Sequence, residues 1–251
     1  MDLNFDREVT NHHFLLRLSP METERQHTVS YSSRIFPETS MSEEKDGFGN
    51  RGYAGVIEGP HDSLSVEAEG VVEICPVNST GFHPMYRYPS EYTMPDEGIR
   101  RFLREAEAVF GKTVSGKEGI LFLMDRLFGR FAYTPGVTSV KTTAAQAFAG
   151  GRGVCQDYAH IFISLCRLAG VPARYVAGML LGEGATHAWT EVWLGKEWIG
   201  ADPTHNCLVN EDYIKLTHGR DFADSAVDKG WFLGPAFQKQ QIYVKVEEIE
   251  E

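Results

Sequence analysis

The stretch GRGVCQDYAHIFISLCRLAG, residues 151–170, decides how this chain is read. From Tyr158 onward it has the period of a buried helix: Tyr158, Ile161, Phe162, Leu165 and Leu168 share one face, Gly170 ends the run and Pro172 prevents its return. The first half is glycine-rich and delivers Cys155 into the opening turn. A cysteine within an apolar helix is usually core packing, and Cys166 is read that way. Cys155 differs by position, because a helix N-terminus presents free N–H groups and the positive end of the dipole, which favour thiolate. AGGRGVC is no phosphate loop, since no Gly-Lys-Ser/Thr follows it. The glycines serve a tight approach into the helix.

A thiolate nucleophile needs an imidazole, and AWTEVWLGKEWIGAD (188–202) places one by register. With Gly195-Lys196 as a two-residue hairpin loop, Leu194 pairs with Glu197, Trp193 with Trp198 and Trp189 with Asp202. His187, Trp189 and Asp202 then share one face, with Asp202 diagonal to His187 at roughly 7 to 8 Å, within reach of longer side chains. Cys155, His187 and Asp202 supply nucleophile, proton carrier and orienting carboxylate for thiol acyl transfer. The Cys155 backbone N–H is placed to donate to an oxyanion.

These three blocks, GGRGVCQDYAHIFISLCRLAGVPARYVAG, THAWTEVWL and WIGADPTHN, resemble the transglutaminase-like cysteine enzymes of bacterial type. The resemblance implies a papain-like core, with Cys155 as nucleophile, His187 as general base and acid, and Asp202 as the orienting carboxylate. It implies amide or isopeptide chemistry on a peptide or protein substrate. Members divide among proteases or amidases, amine-transferring transglutaminases and inactive scaffolds, and fold alone does not choose among them. Hydrolysis is the leading reading, amine transfer and a catalytically inactive binding scaffold the alternatives. The animal enzymes carry an oxyanion-donating tryptophan upstream of the nucleophile, whereas Trp189, Trp193, Trp198 and Trp231 all lie downstream of Cys155. Tyr133 in RFAYTPG is the substitute candidate, with Gln146 and Gln156 behind it. Trp189 is expected to wall the cleft against water.

Other residues near the motifs have plainer readings. His160, about 140° round the helix from Cys155, is a poor partner for it. His205 is read as a turn residue near the cleft. Asp157 complements the dipole. Arg152 either supports the thiolate, binds a substrate carboxylate or is solvated surface.

The whole chain narrows the function further. At 251 residues with 42% hydrophobic content it builds a packed core. Its net charge of −11 and acidic VEEIEE end repel phosphate backbones, so nucleic acid is not an expected partner. No stretch suits a bilayer and the charged start lacks a signal-peptide core, so no membrane role and a cytoplasmic location are expected. Cys75, Cys155, Cys166 and Cys207 form no CxxC pair, which argues for reduced thiols without structural zinc. No EF-hand-like run occurs, so neither metal nor cofactor is expected. The sequence leaves the oligomeric state open.

The expected fold class is α+β, an all-β N-terminal domain (1–80) followed by a papain-like core (81–251) of helices packed on an antiparallel sheet. Alternating strands are read at HHFLLRL, HTVSYSSRIF, GYAGVIEG and DSLSVEAEGVVEI, with PETSMSEEKDGFGNRG as a surface loop. The segment 78–98, with Pro84, Pro89 and Pro95 among aromatics, is read as a linker or long ordered loop, of which FHPMYRYPSEY (82–92) is a candidate cover or substrate wall for the cleft. One helix is expected to carry Ile99, Phe102, Leu103, Ala106, Val109 and Phe110 on one stripe and to stop at Gly111. A second opens on a Ser115/Glu118 capping box and buries Ile120, Met124, Leu127 and Phe128. A short third runs from about Ala144 to Ala149. Strands follow at ARYVAGMLL, HAWTEVWL, EWIGADP and QQIYVKVEEI.

Overall fold

The computed structural model describes residues 1–249, so the last two residues of VEEIEE lie outside it. Five strands open the chain: β1 (Asp2–Leu16), β2 (Gln26–Phe36), β3 (Met41–Lys45), β4 (Arg51–Ile57) and β5 (His61–Ile74). They order as β2-β5-β1-β4-β3, around a core of Leu3, Phe5, Val9, Phe14, Leu16, Ile35, Ile57, Leu64 and Val66. β1 begins well before the HHFLLRL run expected from the sequence, because Leu3 and Phe5 already alternate inward among the polar residues Asp2, Asn4 and Asp6. Its first residues pair with β5 and its last with β4, and register breaks mark the bend between. The expected loop 37–52 contains β3, whose Ser-Glu-Glu-Lys is an exposed edge strand; charge on an edge deters further pairing and hides the strand from a hydrophobicity reading.

The helical part follows as α1 (Glu97–Phe110), α2 (Gly116–Phe128), β6 (Ala132–Tyr133), α3 (Ala144–Gly150), β7 (Arg152–Gly153) and α4 (Cys155–Leu168). Asp96 caps α1 by accepting from Ile99 N–H, and Gly111 ends it at φ 78°. Ser115 stands at the N-cap of α2 without a side-chain hydrogen bond, so the expected capping box is not formed. Phe128 is exposed, and Leu123 takes the buried place; Val109 of α1, expected on the apolar stripe, is exposed as well, because it stands in the last turn, beyond Ala106, where the fully buried face of the helix ends. Then come β8 (Ala173–Leu180), β9 (Gly182–Gly184), β10 (His187–Trp193), β11 (Trp198–Asp202), β12 (Cys207–Leu208), β13 (Tyr213–Gly219), α5 (Phe222–Ser225), β14 (Asp228–Leu233), β15 (Gln238–Gln241) and β16 (Val244–Val246). The antiparallel sheet β12-β11-β10-β8-β13 packs against α4, and Ile161, Phe162, Leu165, Val192 and Ala201 belong to one core.

The C-terminal strands leave that core. β14 and β15 pair with β1 in the N-terminal sheet, and β16 pairs with β9. The run QQIYVKVEEI is therefore two strands in two sheets. Both exposed-edge groups of β13 are met by buried amides from the N-terminal sheet: Asn50 exchanges two 2.8 Å hydrogen bonds with the backbone of His218. Gln26 does the same for Lys215, at 2.9 and 2.8 Å. A free edge strand is thereby closed without another strand.

The aromatic segment does not cover the cleft. Phe82 packs on Trp193, Tyr86 on Trp198 and Tyr92 on His160, while the Tyr86 carbonyl accepts from Arg167. It is a strap across the back of the core. Among the described residues no helix is long and apolar enough to cross a membrane.

Candidate active site

The turn before α4 is built around a buried carboxylate. Asp157 accepts from Val154 N–H at 2.8 Å and from the Thr138 hydroxyl at 2.7 Å, so its side chain caps α4 and ties the 134–143 loop to it. Burial pushes the Asp157 carboxyl above its ordinary range, against these hydrogen bonds. Gly153 leaves the room: a Cβ there would lie 2.3 Å from Asp157 Oδ2. Asp157 is thus more than a dipole complement. Cys155 opens α4, half-buried, at the position where the leading N–H groups of a helix lack intrahelical partners.

The hairpin takes the register read from the sequence. Trp193 faces Trp198, Thr190 faces Ala201, Leu194 N–H donates to Glu197 O, and Gly195 holds φ 82°. His187 begins β10 opposite Gly178 of β8. A Cβ on Gly178 would meet the Trp189 ring at 2.5 Å, so that glycine admits the indole. Trp189 is buried among Val176 and Tyr213 with its ring 6.2 Å from His187. It backs the imidazole from inside the fold; it does not line an open cleft as expected.

His187 Nε2 donates to Asp202 Oδ2 at 2.7 Å, and Cys155 lies close enough to influence the imidazole's titration. With Nε2 taken, Nδ1 is the ring nitrogen left for sulfur. Burial alone would lower the imidazole's pKa. The hydrogen bonds to Asp202 and Cys155, and the charges behind them, outweigh burial and raise it to about 9. Asp202 is fully buried; burial pushes its carboxyl up, but the two imidazoles beside it prevail and hold it at about 2.

Asp202 also organises the turn that follows. Its Oδ1 accepts from Thr204 N–H at 2.8 Å, an Asx turn, and Asn206 takes φ 53°. The chain reverses into β12, where Cys207 pairs with Asp202. This reversal returns His205 to the site: its Nδ1 lies 2.7 Å from Asp202 Oδ2, and Tyr213 OH donates to the same oxygen at 2.9 Å. His205 is therefore a partner of Asp202, beyond the turn role read for it. Tyr213 had no signal in the sequence, since β13 reaches the site across the sheet. His187, Asp202 and His205 bring metal-type donor atoms within 4.8 Å of one another, at the spacing of charge-assisted hydrogen bonds.

The remaining candidates separate. Tyr133 is half-exposed on β6 and near enough to Cys155 for the charge there to raise its phenol's pKa, after burial. Gln156 Nε2 is committed to the Val140 carbonyl. The Gln146 side chain closes the cap of α3 with Thr143. Arg152 is exposed and forms no ion pair among the described residues. His160 is buried in the core, accepting from Phe222 N–H and held at about 3 by burial and Arg167. Cys166 is wholly buried.

Comparisons with known proteins agree with this architecture. The family model of the transglutaminase-like superfamily matches residues 106–203, and that of the bacterial transglutaminase-like N-terminal region matches residues 1–73. An uncharacterized protein of Mycobacterium tuberculosis is 30% identical over 243 residues, covering 82% of this chain and 77% of its own. A protein-glutamine gamma-glutamyltransferase of Pseudomonas aeruginosa is 29% identical over 142 residues, 49% of this chain and 19% of that protein. A solved structure from Cytophaga hutchinsonii, described as a candidate cysteine protease, superposes with a TM-score of 0.81 at 23% identity, over 100% of this chain and 90% of that one. The chain belongs to the transglutaminase-like superfamily, with the bacterial N-terminal region ahead of the core.

Proposed function

We propose that this protein is a cysteine-dependent amide or isopeptide hydrolase acting on peptides or proteins. The observation that carries the reading is His187 hydrogen-bonded to the buried Asp202 at 2.7 Å, with Cys155 close enough for its charge to help raise the imidazole's pKa. An imidazolium beside a thiol stabilises thiolate. The thiolate attacks the substrate carbonyl, and the oxyanion is met by the Cys155 backbone N–H and the Tyr133 hydroxyl. His187 gives its proton to the departing amine, which leaves a thioester on Cys155. The now neutral imidazole takes a proton from water as the water oxygen attacks the thioester, and the thiolate is regenerated. Asp202 fixes the tautomer that makes both transfers possible.

Water is favoured as acceptor over an amine by the rim of the site. Amine transfer requires that water be kept from the thioester. Here Tyr133 and His205 are exposed, and Trp189, the aromatic best placed to exclude water, is buried behind His187. The test is turnover of a peptide library with a labelled primary amine present. Hydrolysed products that disappear in Cys155→Ser are expected. Predominant amine incorporation would identify a transferase. Cys155 alkylation unaffected by His187→Ala, with no turnover, would make the chain a non-catalytic scaffold.

A further inference from the structure

Three donors converge on one oxygen of Asp202, and only one belongs to the Cys-His-Asp relay. His187 Nε2 and His205 Nδ1 each lie 2.7 Å from Oδ2 and Tyr213 OH lies 2.9 Å from it, while Thr204 and His205 N–H groups meet Oδ1 at 2.8 and 3.4 Å. A carboxylate offers about four lone-pair sites, so five donors share its charge and each is weakened by the others. Placement of Asp202 does not depend on the His205 ring. The pairing of β11 with β12, the two backbone N–H groups and Tyr213 already fix it.

We propose that His205 is a positioning residue that acts through Asp202, as a second imidazole whose hydrogen bond to Oδ2 limits how tightly that carboxylate holds the proton on His187. The proposal rests on the thiol-hydrolase reading above. A general acid must release its proton to the leaving amine, and a carboxylate devoted to His187 alone would make that release slower. His205 draws part of the charge away. The ring is about half solvent-exposed and its centroid is 5.2 Å from that of His187. Besides these two imidazoles and Asp202, the titratable groups at this corner are Cys155 beside His187, Tyr213 and Cys207, whose Oη and Sγ are 3.5 Å apart, and Asp125, which accepts from Asn206 Nδ2 at 3.1 Å. The turn from Pro203 to Asn206, folded by Asp202 itself, is what carries His205 back to the oxygen.

The test is the pH dependence of Cys155 alkylation by iodoacetamide, with histidine titrations by NMR on the same proteins. Deprotonation of His187 frees the thiolate from its ion pair and gives an upper step in rate, so the step reports His187. In His205→Ala the step and the His187 titration are expected to move to higher pH by about half a unit or more, as Asp202 regains charge. His205→Asn, whose amide N–H stands near the place of Nδ1, is expected to return both toward the wild-type position. A downward move in His205→Ala would mean that the ring merely props Asp202, and an unchanged step that it does nothing; either overturns the proposal while leaving the hydrolase reading intact. An upper step that His187→Ala does not remove overturns both.

Discussion

Gly153→Ala tests the local architecture that delivers Cys155. The backbone at this glycine is not left-handed, so alanine meets no torsional penalty there and any effect is steric. A methyl group would lie 2.3, 2.7 and 2.8 Å from Oδ2, Cγ and Cβ of Asp157, well inside contact distance. Asp157, 1% exposed, has no open side to retreat to, and moving it breaks the bonds to Val154 N–H and Thr138 OH. Two lost hydrogen bonds at about 1 kcal/mol each, with a carboxylate left partly unsatisfied, sum to roughly 2–4 kcal/mol. Urea denaturation of Gly153→Ala, Asp157→Ala and the double variant closes a double-mutant cycle. In the Asp157→Ala background the contacts at 2.3 and 2.7 Å are gone and only the 2.8 Å contact with Cβ remains, so the glycine substitution should cost less than in the wild type and the coupling should be at least about 1 kcal/mol. Cys155 alkylation should slow in Gly153→Ala as the first turn of α4 shifts. Equal costs in both backgrounds would refute the reasoning, because the clash with Asp157 is its whole content.

Asp202→Asn removes the charge that, together with Cys155, raises His187 against the burial that lowers it; the upper step of alkylation, expected near pH 9, should fall by about a unit or more. The same pair links stability to pH: the raised His187 contributes fully below its unfolded value of 6.5 and loses that contribution as pH rises through about 9, while the depressed Asp202 loses its share as pH falls from 3.8 through about 2. The wild-type urea midpoint should therefore decline on the alkaline side by an amount equivalent to at most ~3 kcal/mol, and the decline should be smaller and begin at lower pH in Asp202→Asn. Chelation with EDTA should leave the alkylation rate within about twofold, since the donors around Asp202 stand at hydrogen-bond spacing; a tenfold change would make His187, Asp202 and His205 metal ligands instead.

Periodicity carried most of the core. The helix from Cys155 and the β10–β11 hairpin were legible because each buries one regular face, and a hairpin loop fixes register all the way down two strands. The start of β1 was hidden because the charged run Asp6-Arg7-Glu8 interrupts the alternation between Phe5 and Val9; β3 was hidden because an edge strand needs no apolar face at all. The splitting of QQIYVKVEEI has another cause. Alternation persists through residues 240–246, yet the chain passes from pairing with β1 to pairing with β9, and alternation states which face is buried without naming the neighbour.

The same distinction explains what the sequence said about the site. His187 and Asp202 could be brought together on paper because they lie in one hairpin, where pairing is local and has period two. His205 is three residues from Asp202 but beyond the strand, in a turn whose course is set by the Asp202 carboxylate accepting Thr204 N–H. Its place depends on the side chain it ends up touching, which no periodicity encodes. Tyr213 reaches the same oxygen from β13, two strands removed from β10 across β8, so only the assembled sheet brings it there. Strand pairing places Trp189 on the face of His187, and Gly178 lets the indole sink beneath that imidazole into the fold. Local pairing thus reveals which groups can do chemistry, while the groups that adjust that chemistry arrive through turns and distant strands; for this reason the residues around Asp202 Oδ2 are where substitution should change the proton affinity of His187 without removing it.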